Sequence, residues 1–284
     1  MADVVRVESL LAQGNTSDVY ALGADAVVKV PRPGVPDHWI EIEAEYAAAV
    51  YQAGLPTPMI LDVVRVEGRP SIVFERIDGP SMLDVLRDDH RAAESLAESM
   101  CAIQHSFHAT DAPAALPTLA DRVASKIDQT EMVSAGERDD ARAVLAALAG
   151  GGATCHGDVH PGNILMSDRG PMVIDWFDAT RGPAVADVVR SSLVVRPLTS
   201  GDESPHLAGV PNSVLATFHT AYLASALATM SLDLDDALAW EAVLAVSRST
   251  EPVEWSLDDL RASWSRFRAG ANAADSPLAG LLTT

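Results

Sequence analysis

The densest run of chemically competent side chains is His156-Gly157-Asp158-Val159-His160-Pro161-Gly162-Asn163, followed after the apolar run Met172-Val173-Ile174 by Asp175. Asp158 and Asn163 stand five apart, and Asp175 lies 17 beyond Asp158. Kinase-type phosphoryl transfer needs a carboxylate to receive the acceptor hydroxyl proton, then an Asn and a second Asp to hold magnesium against nucleotide phosphates. This segment offers all three in that order. Pro161 and Gly162 favour a tight loop that aims Asp158 and Asn163 at one point, and the strand before Asp175 fixes the second ligand rigidly. A plain surface turn ending in a strand-end carboxylate uses the same residues. Zinc on His156, Asp158 and His160 is a further alternative, without an H-E-x-x-H or a cysteine pair to assist it. No G-x-S-x-G occurs, and neither lysine sits in a Walker A sequence, so a serine-hydrolase elbow and a P-loop are excluded.

The elements that must position these residues divide into two textures. Residues 4–11, 18–22 and 26–30 are short β-branched runs separated by turn residues, and 60–66 with 71–74 form a hairpin around Glu67-Gly68-Arg69-Pro70. One helix interrupts them over 37–53, with Trp39, Ile42, Tyr46, Ala49, Val50 and Ala53 on one face. Beyond Gly79-Pro80 the pattern turns helical over 91–110, 119–133, 137–148, 184–195, 214–230, 235–247 and 257–269, broken by a short strand-loop-strand insert that leads to Asp175. The fold class is therefore α+β, with a small antiparallel sheet and one helix over 1–78 and a larger, mainly helical part over 79–284. His105 and His108 share a helix with Phe107 and are expected in core or capping roles. Trp240, Trp255 and Trp264 suit packing anchors, Lys126 a solvated helix position, and Asp187 with Arg190 an i,i+3 ion pair.

With 48% apolar and 21% charged residues in 284, the chain has material for a packed interior. The net charge of −20 repels phosphodiester backbones and anionic lipid, so neither nucleic acid nor membrane is an expected partner. Cys101 and Cys155 make no C-x-x-C, residues 1–8 lack the apolar core of a signal peptide, and no apolar run approaches ~18 residues. A cytoplasmic location is expected. Lys29 and Lys126 are the two lysines among 20 basic residues, so a compact ammonium has a reason to be retained where it occurs.

At His156 to Asn163 and Ile174-Asp175-Trp176 the sequence resembles the aminoglycoside phosphotransferase-like small-molecule kinases, which have a two-lobed protein-kinase-like fold. Val73 to Met82, Leu116 to Leu119, Asp178 to Pro183 and Ala186 to Arg190 extend the likeness over nearly the whole chain. The resemblance implies that Asp158 is the catalytic base and that Asn163 and Asp175 bind Mg2+. It gives Lys29 the α/β-phosphates of ATP (or GTP), and Glu43, nearer the apolar stripe than Glu45, the task of holding that lysine. Adenine is expected against the backbone of Glu75 to Ile77. Thr16 or Ser17 in the reduced loop Gln13 to Asp18, with one glycine, is expected to cover phosphates, although that loop also suits a plain hairpin turn. Asp175-Trp176-Phe177 replaces the D-F-G of protein kinases, and no Ala-Pro-Glu segment follows, which fits the small-molecule branch.

The implied function is transfer of a nucleotide's γ-phosphate to the hydroxyl of a small molecule. Asp202, Glu203, Asp233, Asp235, Asp236, Glu251, Glu254, Asp258 and Asp259 suit a cationic acceptor such as an aminoglycoside, with a possible role in antibiotic resistance. The alternatives are a neutral acceptor (a macrolide, sugar or metabolite) and a non-catalytic nucleotide-binding pseudokinase.

Overall fold

The computed structural model describes residues 7–148, 150–198, 207–230, 233–250, 257–270 and 278. The chain divides into two compact units, 1–80 with 165–178, and 81–164 with 179–284. The expected single break at 78/79 thus becomes a break at 80/81 plus an excursion of 165–178 into the first unit. Backbone bonding explains the excursion: Met166 N–H donates to the Pro80 carbonyl at 2.8 Å and Val173 N–H to the Pro56 carbonyl at 2.7 Å.

In the first unit, β1 (Leu10–Gln13), β2 (Ser17–Leu22), β3 (Ala26–Pro31), β4 (Ile60–Val66) and β5 (Arg69–Glu75) form an antiparallel sheet of order β1-β2-β3-β5-β4. Val28, Val30, Val66 and Val73 are its buried cluster. Alternation of side chains along each strand sends these valines to one face. β1 starts at Leu10, later than the sequence pattern suggests, and a register shift falls within it between Leu10 and Ala12; residues 4–6 lie outside the described set. Helix α1 (Asp37–Gln52) buries Ile40, Glu43, Tyr46, Ala47 and Val50. This face is rotated from the expected one: Trp39 is exposed and contacts Phe177, ring centroids 5.4 Å apart, while Glu43 lies inside the buried stripe.

In the second unit, α2 (Met82–Asp88), α3 (Ala93–His108), α4 (Leu119–Gln129) and α5 (Ala135–Ala147) precede the short strand β6 (Ala153–Cys155). The next strand, β7 (Ile164–Ser167), pairs with β8 (Gly170–Val173) as a hairpin that belongs to the first unit from Leu165 onward. Then β9 (Thr180–Gly182) pairs with β6, and α6 (Ala184–Val195), α7 (Asn212–Thr229), α8 (Leu234–Arg248) and α9 (Leu257–Arg268) follow. Every residue of α6 from Ala186 to Val195 is buried, so this helix is the centre of its unit. Trp240 and Trp264 are buried packing residues; Trp255 lies outside the described residues. Lys126 is half-buried on α4 rather than fully solvated. Among the described residues no helix is long and apolar enough to cross a membrane.

Candidate active site

The residues of interest fall in two sets, one in each unit. In the first, Lys29 sits in the middle of β3, opposite Val19 on β2 and Ile72 on β5. Its ammonium reaches Glu43 Oε1 at 2.5 Å and Asp175 Oδ1 at 3.1 Å. Glu45 is exposed, so the one-residue rotation of α1 is what selects Glu43. Burial opposes the charge on Lys29, but the carboxylates of Asp175 and Glu43 outweigh it and hold the pKa above the ordinary lysine value. Glu43 is shifted up, first by burial and then by Asp175, with Lys29 pulling the other way. One cation shared by two carboxylates accounts for both directions, the more enclosed carboxylate bearing the cost.

Asp175 has φ 67, a left-handed conformation. Asp tolerates it better than most residues, yet it costs roughly 1–2 kcal/mol. Trp176, 1% exposed, donates its indole N–H to the Val173 carbonyl at 3.1 Å and anchors the turn that imposes this backbone. The carboxylate is left 43% exposed at the end of a rigid hairpin.

At the end of β5, Glu75 N–H donates to the Met59 carbonyl at 2.9 Å and Arg76 N–H to the Asp25 carbonyl at 2.8 Å. The Glu75 side chain accepts from Met59 N–H at 2.9 Å and from Arg169 at 3.1 Å. In the β1–β2 turn, Gly14 N–H closes on the Ser17 carbonyl at 2.8 Å. Thr16 is exposed at the tip, whereas Ser17 is buried within β2.

In the second unit the loop after β6 is held from behind by α3 and α6. Gly157, at φ 81, donates its N–H to Asp187 Oδ1 at 2.7 Å and accepts at its carbonyl from Arg190 Nε at 2.6 Å. One turn of α6 thus grips both polar groups of the residue before Asp158. Asp187 Oδ2 also accepts from Gln104 Nε2 at 2.9 Å and meets His108 Nε2 at 2.8 Å, while Tyr222 hydroxyl donates to Gln104 Oε1 at 2.5 Å. Burial alone would raise the Asp187 pKa, but His108, Gln104 and the Gly157 amide together hold it low. His108 and Asp187 with Cys155 form a compact His/Cys/Asp cluster. Donors on both carboxylate oxygens, and a thiol pushed well up by burial, make it a hydrogen-bonding network.

Asp158 projects from this clamp with its side chain 22% exposed, Oδ1 facing Arg190 Nη2 at 3.9 Å. His156 is wholly buried and its Nδ1 accepts Asp158 N–H at 3.1 Å. Asn163 donates Nδ2 to the Asp158 carbonyl at 3.0 Å, which turns its Oδ1 the other way. An amide oxygen and a carboxylate are hard oxygen donors, the kind that magnesium takes.

A profile of the phosphotransferase enzyme family matches residues 8–230. The chain belongs to this family. No curated protein sequence matches it. Among solved structures it is similar to a choline/ethanolamine kinase family protein from Mesorhizobium loti, at 16% identity and TM-score 0.55, covering 97% of this chain and 90% of that one. A GDP complex of aminoglycoside 2′-phosphotransferase-IIIa aligns at 14% identity and TM-score 0.53, covering 93% and 94%. A streptomycin–ATP complex of APH(2″)-IIa aligns at 15% identity and TM-score 0.51, covering 92% of each chain.

In this phosphotransferase-family protein, sequence reasoning did not single out Gln104; His108 is a core residue as expected, and Asp187 and Arg190, expected as an ion pair, each bond Gly157. The available signal was polarity in the wrong place: Gln104 and His108 lie on the apolar stripe of α3, and Asp187 and Arg190 are charged residues within the buried run of α6. Several carboxylates assigned to the acceptor instead serve helix ends. Asp233 caps α8, accepting from Asp235 and Asp236 N–H at 2.9 and 3.1 Å; Asp235, Asp236, Asp258 and Asp259 sit in first turns, where negative charge is favourable. Asp202, Glu203, Glu251 and Glu254 lie outside the described residues.

Proposed function

We propose that the protein transfers the γ-phosphate of ATP to a hydroxyl of a small molecule, with Asp158 as the base. The observation that carries this reading is the Lys29 ammonium held between Glu43 and Asp175, a cation whose second partner nucleotide phosphates can replace. Lys29 then contacts the α/β-phosphates, steadied by Glu43. The hydroxyl of Thr16 and the amides of its turn cover the phosphates, and the backbone from Glu75 to Ile77 receives the base. Asn163 and Asp175 would hold magnesium, which supplies charge neutralisation on the β- and γ-phosphates. Asp158 takes the acceptor's proton as the new O–P bond forms and the bond to the β-phosphate oxygen breaks, giving nucleoside diphosphate and a phosphate monoester.

Relatives in structure are named for aminoglycosides and for choline/ethanolamine, all amine-bearing alcohols, and a cationic acceptor is the first class to test. A neutral acceptor is the second reading, favoured by the helix-end roles of Asp233, Asp235 and Asp236. The test is a mass-shift screen with ATP and with GTP over aminoglycosides, macrolides, amino sugars and simple alcohols. A gain of one phosphate on a cationic acceptor supports the first reading, and a gain on neutral acceptors alone supports the second. Nucleotide binding with no transfer to any acceptor would favour a pseudokinase.

A further inference from the structure

The short 3-10 turn Pro161–Asn163 is capped by His160, whose Nδ1 accepts Gly162 N–H at 3.1 Å while its carbonyl accepts Asn163 N–H at 2.9 Å. A ring nitrogen that accepts a hydrogen bond carries no proton, so the hydrogen of the neutral ring is on Nε2. Nε2 faces Asp158 Oδ2 at 3.7 Å, and the residue is only 6% exposed. Asn163 Nδ2 lies 3.5 Å from the same oxygen. Two N–H groups therefore converge on one oxygen of the base, while Arg190 faces the other. The ring can lie over the turn because residue 162 has no side chain: a Cβ there would come within 2.8 Å of His160 Cε1 and 3.0 Å of Nδ1.

We propose that His160, locked in its Nε2–H tautomer, is a positioning residue that ties the carboxylate of Asp158 to the Asn163 turn. This rests on the phosphotransfer reading above. At 3.7 Å the contact is longer than a hydrogen bond, and a small rotation of the carboxylate closes it, as such contacts tighten when a site is loaded. The ring then fixes the rotation of the base about its Cβ–Cγ bond, while the backbone bonds to the turn fix the position of Asn163. His160 holds the two residues in register without touching the acceptor.

The alternative is that His160 only caps the turn, and two near-isosteric substitutions separate these roles. Asn reproduces the Nδ1 acceptor and lacks the donor to Asp158; Gln places an amide N–H where Nε2 stands and lacks the acceptor. The proposal expects His160→Gln to keep kcat within about threefold of wild type, and His160→Asn to lose roughly tenfold or more in kcat with KM for nucleotide unchanged. The reverse order, or equal losses in two variants that melt like the wild type, overturns it. A second readout needs no turnover. In the full-length protein labelled with 15N-histidine at neutral pH, the His160 ring, assigned by its absence in His160→Gln, should show a protonated Nε2 and an unprotonated Nδ1. A protonated Nδ1 overturns the proposal whatever the kinetics. If the wild type transfers phosphate to nothing, the phosphotransfer reading fails, and the tautomer still decides the geometry.

Discussion

Lys29 shows how much a single residue type can disclose. In a chain whose cations are otherwise nearly all arginine, an ammonium in mid-strand suits a point charge presented to phosphates, and two carboxylates hold it in place. Lys29→Met should weaken nucleotide binding roughly tenfold or more, the worth of one charge-assisted hydrogen bond, as measured by calorimetric titration. Unchanged affinity would remove Lys29 from the phosphate site. Asp158, Asn163 and Asp175 could be singled out in the sequence because residue type and spacing match the pattern that phosphoryl transfer needs. Gln104 and Arg190 were not, because what they do depends on partners 83 and 33 residues away that no local pattern reports.

At the scale of elements, legibility followed the hydrophobic period and failed where a cap or a backbone conformation decided. Helix α2 was missed although Ser81 and Asp84 form a capping box, and α5 starts two residues earlier than its periodicity because Ser134 and Glu137 form another. Helix α1 was placed correctly but turned by one residue: Ile40 and Ala47 are buried where Trp39 and Ala53 were expected, and Glu43 lies within the buried stripe rather than at its edge. Gly79 marked a boundary in the sequence, and its reason is steric: at φ 144, a Cβ there would lie 2.1 Å from the Met166 carbonyl oxygen. Gly79→Ala should therefore destabilise the protein by about 2 kcal/mol or more in urea unfolding, against a few tenths for an ordinary surface substitution. A neutral effect would mean that the Pro80–Met166 contact is not maintained in solution.

For the whole molecule, the buried polar groups of the second unit link stability to pH. Burial, then the neighbouring Arg196, push His219 down to about 3, below its ordinary 6.5. The unfolded chain binds a proton between those values and the folded chain does not, so this contribution is complete above about pH 6.5 and is lost progressively as pH falls towards 3. At pH 5 the loss is roughly 2 kcal/mol. His219→Gln, which retains a partner for Ser192, should flatten the fall in melting temperature between pH 7 and 5; an unchanged slope would assign acid sensitivity to other groups. The proposed phosphotransfer divides its labour between Asp158 and Asp175. With an acceptor found by the screen, Asp158→Asn should lower kcat by roughly 10²-fold or more while leaving magnesium-dependent nucleotide binding nearly intact, and Asp175→Ala should weaken that binding. Turnover by Asp158→Asn at the wild-type rate, or the same binding loss in both variants, would contradict it.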